Sequence, residues 1–253
     1  MKKNYSDHNK HNIIQLFKEK KFKKISKISK TFLEKYKTDN DDKSNQETLK
    51  IVKKYQNHKK FKIILLQRNM GTAFCRNLAI RNSDSEYLAF IDSDDKWKKD
   101  KLEKQIKFML KNQYLFTYTN YSTFKSVNTK IFLNTINPPK EFDFKKFTKN
   151  TSICTSSMMI KSDIAKKYKF TNTKICEDFF YKCIILKNIG KAFCLNETLT
   201  EYRISKNSMQ SNKLKNCYWI WKINKKYNKF NIMQNLISIL FISYNSIKKY
   251  KLK

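Results

Sequence analysis

Glu86-Tyr87-Leu88-Ala89-Phe90-Ile91-Asp92-Ser93-Asp94-Asp95-Lys96-Trp97 is the stretch that decides the fold. An apolar run from Tyr87 to Ile91 stops abruptly at Asp92, Asp94 and Asp95. Its length and its aromatic and β-branched content suit a strand buried on both faces. Carboxylates gathered at the carboxyl end of such a strand cost stability unless something cationic sits with them. In open α/β sheets, ligands bind outside the carboxyl ends of strands. Two acids one residue apart can share a hard divalent ion whose shell is completed by substrate phosphates. The plain alternative is an acidic turn that caps the following helix.

Whole-chain composition narrows the classes. With 253 residues and 40% hydrophobic content, the chain is long enough for one large domain with a core, or a domain and a tail. The formal charge is +34, yet only Arg68, Arg76, Arg81 and Arg203 among the 55 basic residues are arginine. Lysine spread this evenly reads as compositional drift rather than a nucleic-acid surface, which favours arginine, although the field still attracts phosphates and anionic lipid. The six cysteines form no Cys-x-x-Cys pair and all three histidines lie before residue 60, so no zinc site is expected. Scattered thiols among apolar neighbours fit a cytosolic protein. Neither a signal peptide nor a run of the ~18 apolar residues that a spanning helix needs is visible.

Working outward, Phe61–Leu66 reads as a strand, and the segment Asn69–Ile80, with Gly71, one of only two glycines, leads into a helix that carries Ala73, Asn77 and Ile80 along one side. Scarcity suggests that the place of Gly71 is set by backbone need. Arg76 lies on that helix, either facing a ligand or as a surface charge. Asp100 and Glu103 have capping-box spacing, and Leu102, Ile106 and Met109 form the apolar stripe of the next helix. Tyr114–Tyr121 reads as a central strand, residues 122–150 as a hairpin and loop containing Pro138-Pro139, and Ile153–Ile160 as another strand. Glu177 and Asp178 open a helix that Gly190 ends. Upstream, Asn12–Phe17 is a weak strand, while Phe22, Ile25, Ile28 and Phe32 assign Lys18–Lys37 to a basic helix. Asp41-Asp42-Lys43-Ser44 follows without an apolar strand directly before it. After residue 215, aromatic residues alternate with lysines, and Ile232, Leu236, Ile239 and Leu240 mark a helix with a wide apolar face. That tail reads equally as helices packed on the domain or as an anchor on anionic lipid.

Together, Asn69-x-Gly71-x-Ala73-x-x-Arg76-Asn77-x-Ala79-Ile80, Phe90-Ile91-Asp92-Ser93-Asp94-Asp95 and Glu177-Asp178 resemble family 2 glycosyltransferases of the GT-A fold. The resemblance spans about residues 40–250 and includes the closing segment Tyr202-Arg203-Ile204-Ser205. It implies a Rossmann-like nucleotide-diphospho-sugar transferase: a mixed α/β sheet flanked by helices over residues 1–215, with a basic helical tail over 216–253. By the same resemblance Asp94 binds Mn²⁺ or Mg²⁺, Asp92 contacts the ribose or supports the metal, Arg76 faces the diphosphate, Asp42 meets the base, and Asp178 is the catalytic base. Implied partners are a nucleotide-sugar donor, with uridine diphosphate as carrier, and a lipid-linked or surface-glycan acceptor, as in members that build teichuronic acid; an anionic membrane surface is a further partner on the anchor reading. Transfer would be inverting and, without the Gln-x-x-Arg-Trp motif of processive synthases, limited to one sugar. The chain would act in the cytoplasm or peripherally on the inner face of the cell membrane. Residues 1–60 depart from the family pattern, since Gln15 and Lys18 stand where proline and asparagine are expected, and the metal-binding histidine of some members is replaced by Ile204 and Ser205. An impaired copy and a basic nucleic-acid-binding protein are therefore the alternatives; the latter leaves Asp92, Asp94 and Asp178 unexplained.

Overall fold

The computed structural model describes Ile13–Ile14, Thr31–Tyr36, Phe61–Leu66 and residues 70–250 other than 127–129, 172, 174 and 205–211. Asp42 therefore lies outside the described residues. The first three strands, β1 (Ile13–Ile14), β2 (Thr31–Tyr36) and β3 (Phe61–Leu66), form a sheet in that order. Strand β2 runs antiparallel to β1 and parallel to β3, from Thr31 opposite Phe61 to Tyr36 opposite Leu66. This corrects the helix expected through Lys37. Thr31-Phe32-Leu33-Glu34-Lys35-Tyr36 is rich in strand formers, and six paired positions outweigh a brief helical periodicity. It also supplies a strand shortly before Asp41-Asp42, where the sequence offered none.

Seven further strands make the main sheet: β4 (Tyr87–Ala89), β5 (Lys96–Trp97), β6 (Phe116–Ser126), β7 (Lys130–Ile136), β8 (Glu141–Asp143), β9 (Met159–Lys161) and β10 (Lys191–Arg203). The path is β4-β9-β6-β10-β5, with β7 on β6 and β8 on β10. Its spine is the parallel pair β6–β10. Each spine strand is long enough to serve two antiparallel partners along its outer edge. Strand β6 pairs with β9 near its start and β7 near its end, while β10 pairs first with β8 and then with β5. Register shifts between Leu195 and Thr200 allow the two halves of β10 to bend separately.

Around the sheets pack α1 (Thr72–Arg81), α2 (Lys101–Asn112), α3 (Phe144–Phe147), α4 (Ser162–Lys167), α5 (Glu177–Ile189), α6 (Lys213–Ile223) and α7 (Ile232–Tyr250). A π-helical turn, Asn224–Asn228, joins the last two. Strand β4 is buried on both faces, as its apolar run requires. Leu88 and the following Phe90 enter the main core, whereas Tyr87 and Ala89 pack with Ile106 and Met109 of α2. Phe170 stacks on Tyr181 at 3.7 Å, and Phe90 meets both edge-on. Two expectations change here. Most of Ile153–Ile160 is a turn containing a short 3₁₀ helix, Thr155–Ser157, and only Met159 onward pairs as strand. The capping box of α2 does not form: Asp100 makes no side-chain cap and instead pairs with Lys104 at 2.7 Å, while Glu103 pairs with Lys107.

Both glycines occupy positive φ, 81° at Gly71 and 85° at Gly190. A Cβ at Gly190 would meet no atom within 4 Å, so backbone strain alone opposes a side chain there. Gly190→Ala should lower unfolding free energy by about 1–2 kcal/mol, measured as a shifted midpoint in urea; an unchanged midpoint would show that the end of α5 relaxes without cost.

Candidate active site

The site is assembled by one arginine. Gly71 turns the chain into α1, which places Arg76 on the buried side of the helix, under the carboxyl end of β4. Its Nη2 donates to Asp92 Oδ1 at 2.8 Å and its Nη1 to Glu177 Oε1 at 2.9 Å. The guanidinium lies over the Phe170 ring, 5.3 Å from its centroid. The surface-charge reading of Arg76 is thereby excluded. Burial alone would lower its pKa, but Asp92, Glu177 and Asp178 outweigh burial and raise it. Burial raises the Glu177 carboxyl, against the pull of Arg76.

Beside Glu177, Asp178 is held by a lysine one turn further along α5. Lys182 Nζ donates to Asp178 Oδ2 at 2.8 Å, to Ile153 O at 2.8 Å and to Thr155 Oγ1 at 3.0 Å. Thr155 Oγ1 in turn donates to Asp178 Oδ2 at 3.2 Å. Burial would push the Asp178 carboxyl up; Lys182 and Arg76 outweigh it and hold it down at about 2. Asp178 is thus an ionised acceptor at neutral pH.

The acidic turn after β4 is tied to the turn at 155–157. Ser156 Oγ accepts from Asp92 N–H at 3.0 Å and donates to Asp95 Oδ2 at 2.5 Å. Trp97 Nε1–H donates to Ser156 O at 2.6 Å, and Arg203 N–H donates to Asp95 Oδ1 at 2.9 Å. Burial, with Asp92 and Asp94 close by, pushes Asp95 up to about 8 in spite of these bonds. Asp95 is therefore a structural acid, whereas Asp92 and Asp94 remain partly open to solvent.

A cavity of about 330 Å³ opens over this constellation. Arg76, Asp92, Thr155, Glu177, Asp178 and Lys182 line one side. Lys213 and Asn216 of α6, with Ser246 and Lys249 of α7, line another. Of the residues expected from sequence, Arg76, Asp92 and Asp178 meet here, while Asp94 follows in the same turn but is not part of the lining. Sequence reading missed the roles of Glu177, Lys182, Thr155 and Ser156. Lys182 carried a usable signal: it is a lone charge within Phe179-Phe180-Tyr181-Lys182-Cys183-Ile184-Ile185, four residues after an acid. The hydroxyls of Thr155 and Ser156 carried none.

This arrangement of sheet, helices and acidic turn is that of a GT-A transferase. The family model described as "Glycosyl transferase family 2" matches residues 40–169, and the chain belongs to that family. Over 83% of its length it is 32% identical to 83% of the putative teichuronic acid biosynthesis glycosyltransferase TuaG of Bacillus subtilis (strain 168). It is 29% identical over 72% of its length to 70% of WfgD of Escherichia coli, a UDP-Glc:alpha-D-GlcNAc-diphosphoundecaprenol beta-1,3-glucosyltransferase. Among solved structures, S. aureus TarS 1-349 matches 87% of the chain with a TM-score of 0.58 and 15% identity. The chain spans 62% of that fragment. A mannosyltransferase from Pyrobaculum calidifontis, solved with GDP-Man and Mn²⁺, matches 82% of the chain at a TM-score of 0.56 and 10% identity, with 59% of its own length covered. At these identities the structural matches establish the fold alone.

The Asp178–Lys182 pair yields a pH test. A carboxyl held below its ordinary 3.8 adds stability above that pH and loses it as pH falls toward about 2. Lys182→Met leaves the part-buried Asp178 carboxylate without its ammonium, a loss of about 1–3 kcal/mol at neutral pH. The difference from wild type should shrink as acid protonates Asp178 in the variant; a difference that stays constant as pH falls from neutral through 3.8 would refute the pairing.

Proposed function

We propose that this chain transfers a single sugar from a uridine diphosphate sugar to a hydroxyl of a lipid-linked glycan destined for a cell-surface polysaccharide, with inversion at the anomeric carbon. The observation that carries this reading is one ionised carboxylate, Asp178, on the wall of a cavity it shares with the Arg76–Asp92 pair. Support for donor and acceptor class comes from WfgD, whose name states both a UDP-sugar and a diphosphoundecaprenol-linked acceptor, and from TuaG, named for teichuronic acid biosynthesis.

Within this reading Asp178 accepts the proton of the acceptor hydroxyl as oxygen bonds to the anomeric carbon and the diphosphate leaves from the opposite face. A carboxylate of low basicity takes that proton late, once the hydroxyl has been made acidic by bond formation. Thr155 and Lys182 fix its direction. Arg76 keeps Asp92 at the ribose side. Asp42 would meet the base, and the parallel placement of β2 beside β3 supports an intact sheet on that side.

The residues present also fit a divalent ion of limited protein coordination. Among the described residues no cluster of three or more metal-ligating side chains gathers. Two carboxylates, Asp92 and Asp94, with no imidazole suit Mg²⁺ or Mn²⁺ held largely by substrate phosphates. Such an ion would neutralise charge on the departing diphosphate.

Calorimetry with uridine diphosphate tests the reading. Binding should require Mn²⁺ or Mg²⁺ and vanish in Asp94→Asn. Asp178→Asn should retain donor binding and lose transfer by about 10²-fold or more. Failure of the folded protein to bind uridine, guanosine or thymidine diphosphate under any metal condition would overturn it.

A further inference from the structure

Helix α7 seats Ile239 and Ile242 against the main core but leaves most of its apolar residues outside. Asn235 and Ser238, each 1% exposed, face the domain, whereas Ile232 and Leu240 are 72% and 67% exposed. The apolar stripe read from sequence exists, but most of it points outward. Met233, Leu236, Phe241 and Tyr244 share that outer half of the helix and are also exposed. The inner half is fastened by polar contacts. Asn224 Nδ2 donates to Asn235 Oδ1 at 3.2 Å and to Ser238 Oγ at 2.9 Å. Asn235 Nδ2 donates to Trp221 O, Ser238 Oγ to Thr148 O at 2.6 Å, and Asn245 Nδ2 to Lys149 O. Rolling α7 to hide its leucines would leave the buried Asn224, Asn235 and Ser238 groups without partners. The helix is thus held with its apolar face outward.

We propose that this outer face of α7 docks the protein on an anionic lipid bilayer, lying in the interface rather than crossing it. Among the described residues no helix is long and apolar enough to span a membrane. Charge selects lipid over another copy of this chain. Residues 212–250 contain eight lysines and no aspartate or glutamate. Lys222, Lys225, Lys226 and Lys229, in and just after the helix that precedes α7, are exposed. Two such tails would repel each other, whereas an anionic surface attracts both the lysines and, once close, the apolar stripe. The inner face of the same helix contributes Ser246 and Lys249 to the catalytic cavity. Docking therefore brings that cavity near the bilayer, a consequence for a lipid-linked acceptor that rests on the function proposed above.

Vesicle binding tests the surface without any substrate, so its outcome is independent of the transfer reaction. The full chain is sedimented with phosphatidylglycerol–phosphatidylcholine vesicles and with pure phosphatidylcholine vesicles. Wild type should prefer the anionic vesicles. The combined variant Met233→Ser, Leu236→Ser and Leu240→Ser, which alters only exposed side chains, should bind at least about tenfold more weakly with an unchanged thermal melt. Lys225→Gln, Lys226→Gln and Lys229→Gln together should weaken the preference for anionic lipid, and keep the test open should the serine variant unfold. The proposal is overturned by wild type that ignores vesicles, by variants that bind as wild type does, or by a solution dimer that the serine substitutions dissociate.

Discussion

The Arg76 guanidinium, held dry between Asp92 and Glu177, is the contact on which the site depends. It joins residues 16 and 101 positions away in sequence. Three elements thereby fix one another: the first turns of α1, the end of β4 and the start of α5. A buried ion pair gives little net stability compared with apolar packing of the same volume, because each charge must leave water. What it supplies here is position. Arg76 can satisfy both acids only if α5 begins where it does, and that start sets the direction in which Asp178 emerges. The ties through Ser156 to Asp92, Asp95 and Trp97 hold the acidic turn from the opposite side.

Much of this was legible in the sequence. The double burial of β4 follows from an uninterrupted apolar run, the turn at Gly71 from the scarcity of glycine, and the end of α5 at Gly190 from its place after the helical run. The meeting of Arg76, Asp92 and Asp178 was suggested by family resemblance, and the geometry supplied what resemblance could not, namely that Arg76 pairs with acids rather than facing solvent. Other features were hidden for physical reasons. Thr31–Tyr36 carries strand formers, but what makes it a strand is the parallel partner β3, and pairing across some 30 residues cannot be read from a local window. The 155–157 turn is apolar on both sides and reads as strand; its departure follows from hydroxyls bonding to Asp95 and Asp178, partners far away in sequence. Asp100 and Glu103 have capping spacing, but lysines one turn on compete successfully for both carboxylates.

The tail shows a different limit of periodicity. A repeat near 3.6 residues reveals that a helix has two unlike faces. It does not say which face turns to the domain. Apolar packing inward holds for Ile239 and Ile242 of α7 only, because much of the seat is made of carbonyls and amides: Thr148 O, Lys149 O, Trp221 O and the Asn224 side chain. Such a seat can be satisfied only by the polar half of the helix.

That polarity is tied to the cavity. The inner half of α7 lines the cavity shared with Arg76, Asp92 and Asp178, through Ser243, Ser246 and Lys249 together with Ile242 and Ile247. Burial, aided by nearby cations, pulls Lys249 down to about 8, so it is still mainly charged at neutral pH, across the chamber from the carboxylates. The chain thus uses one helix for two environments, a cavity of mixed polar and apolar lining within and a largely apolar surface without, and the asparagine and serine bonds beneath it keep the two from exchanging.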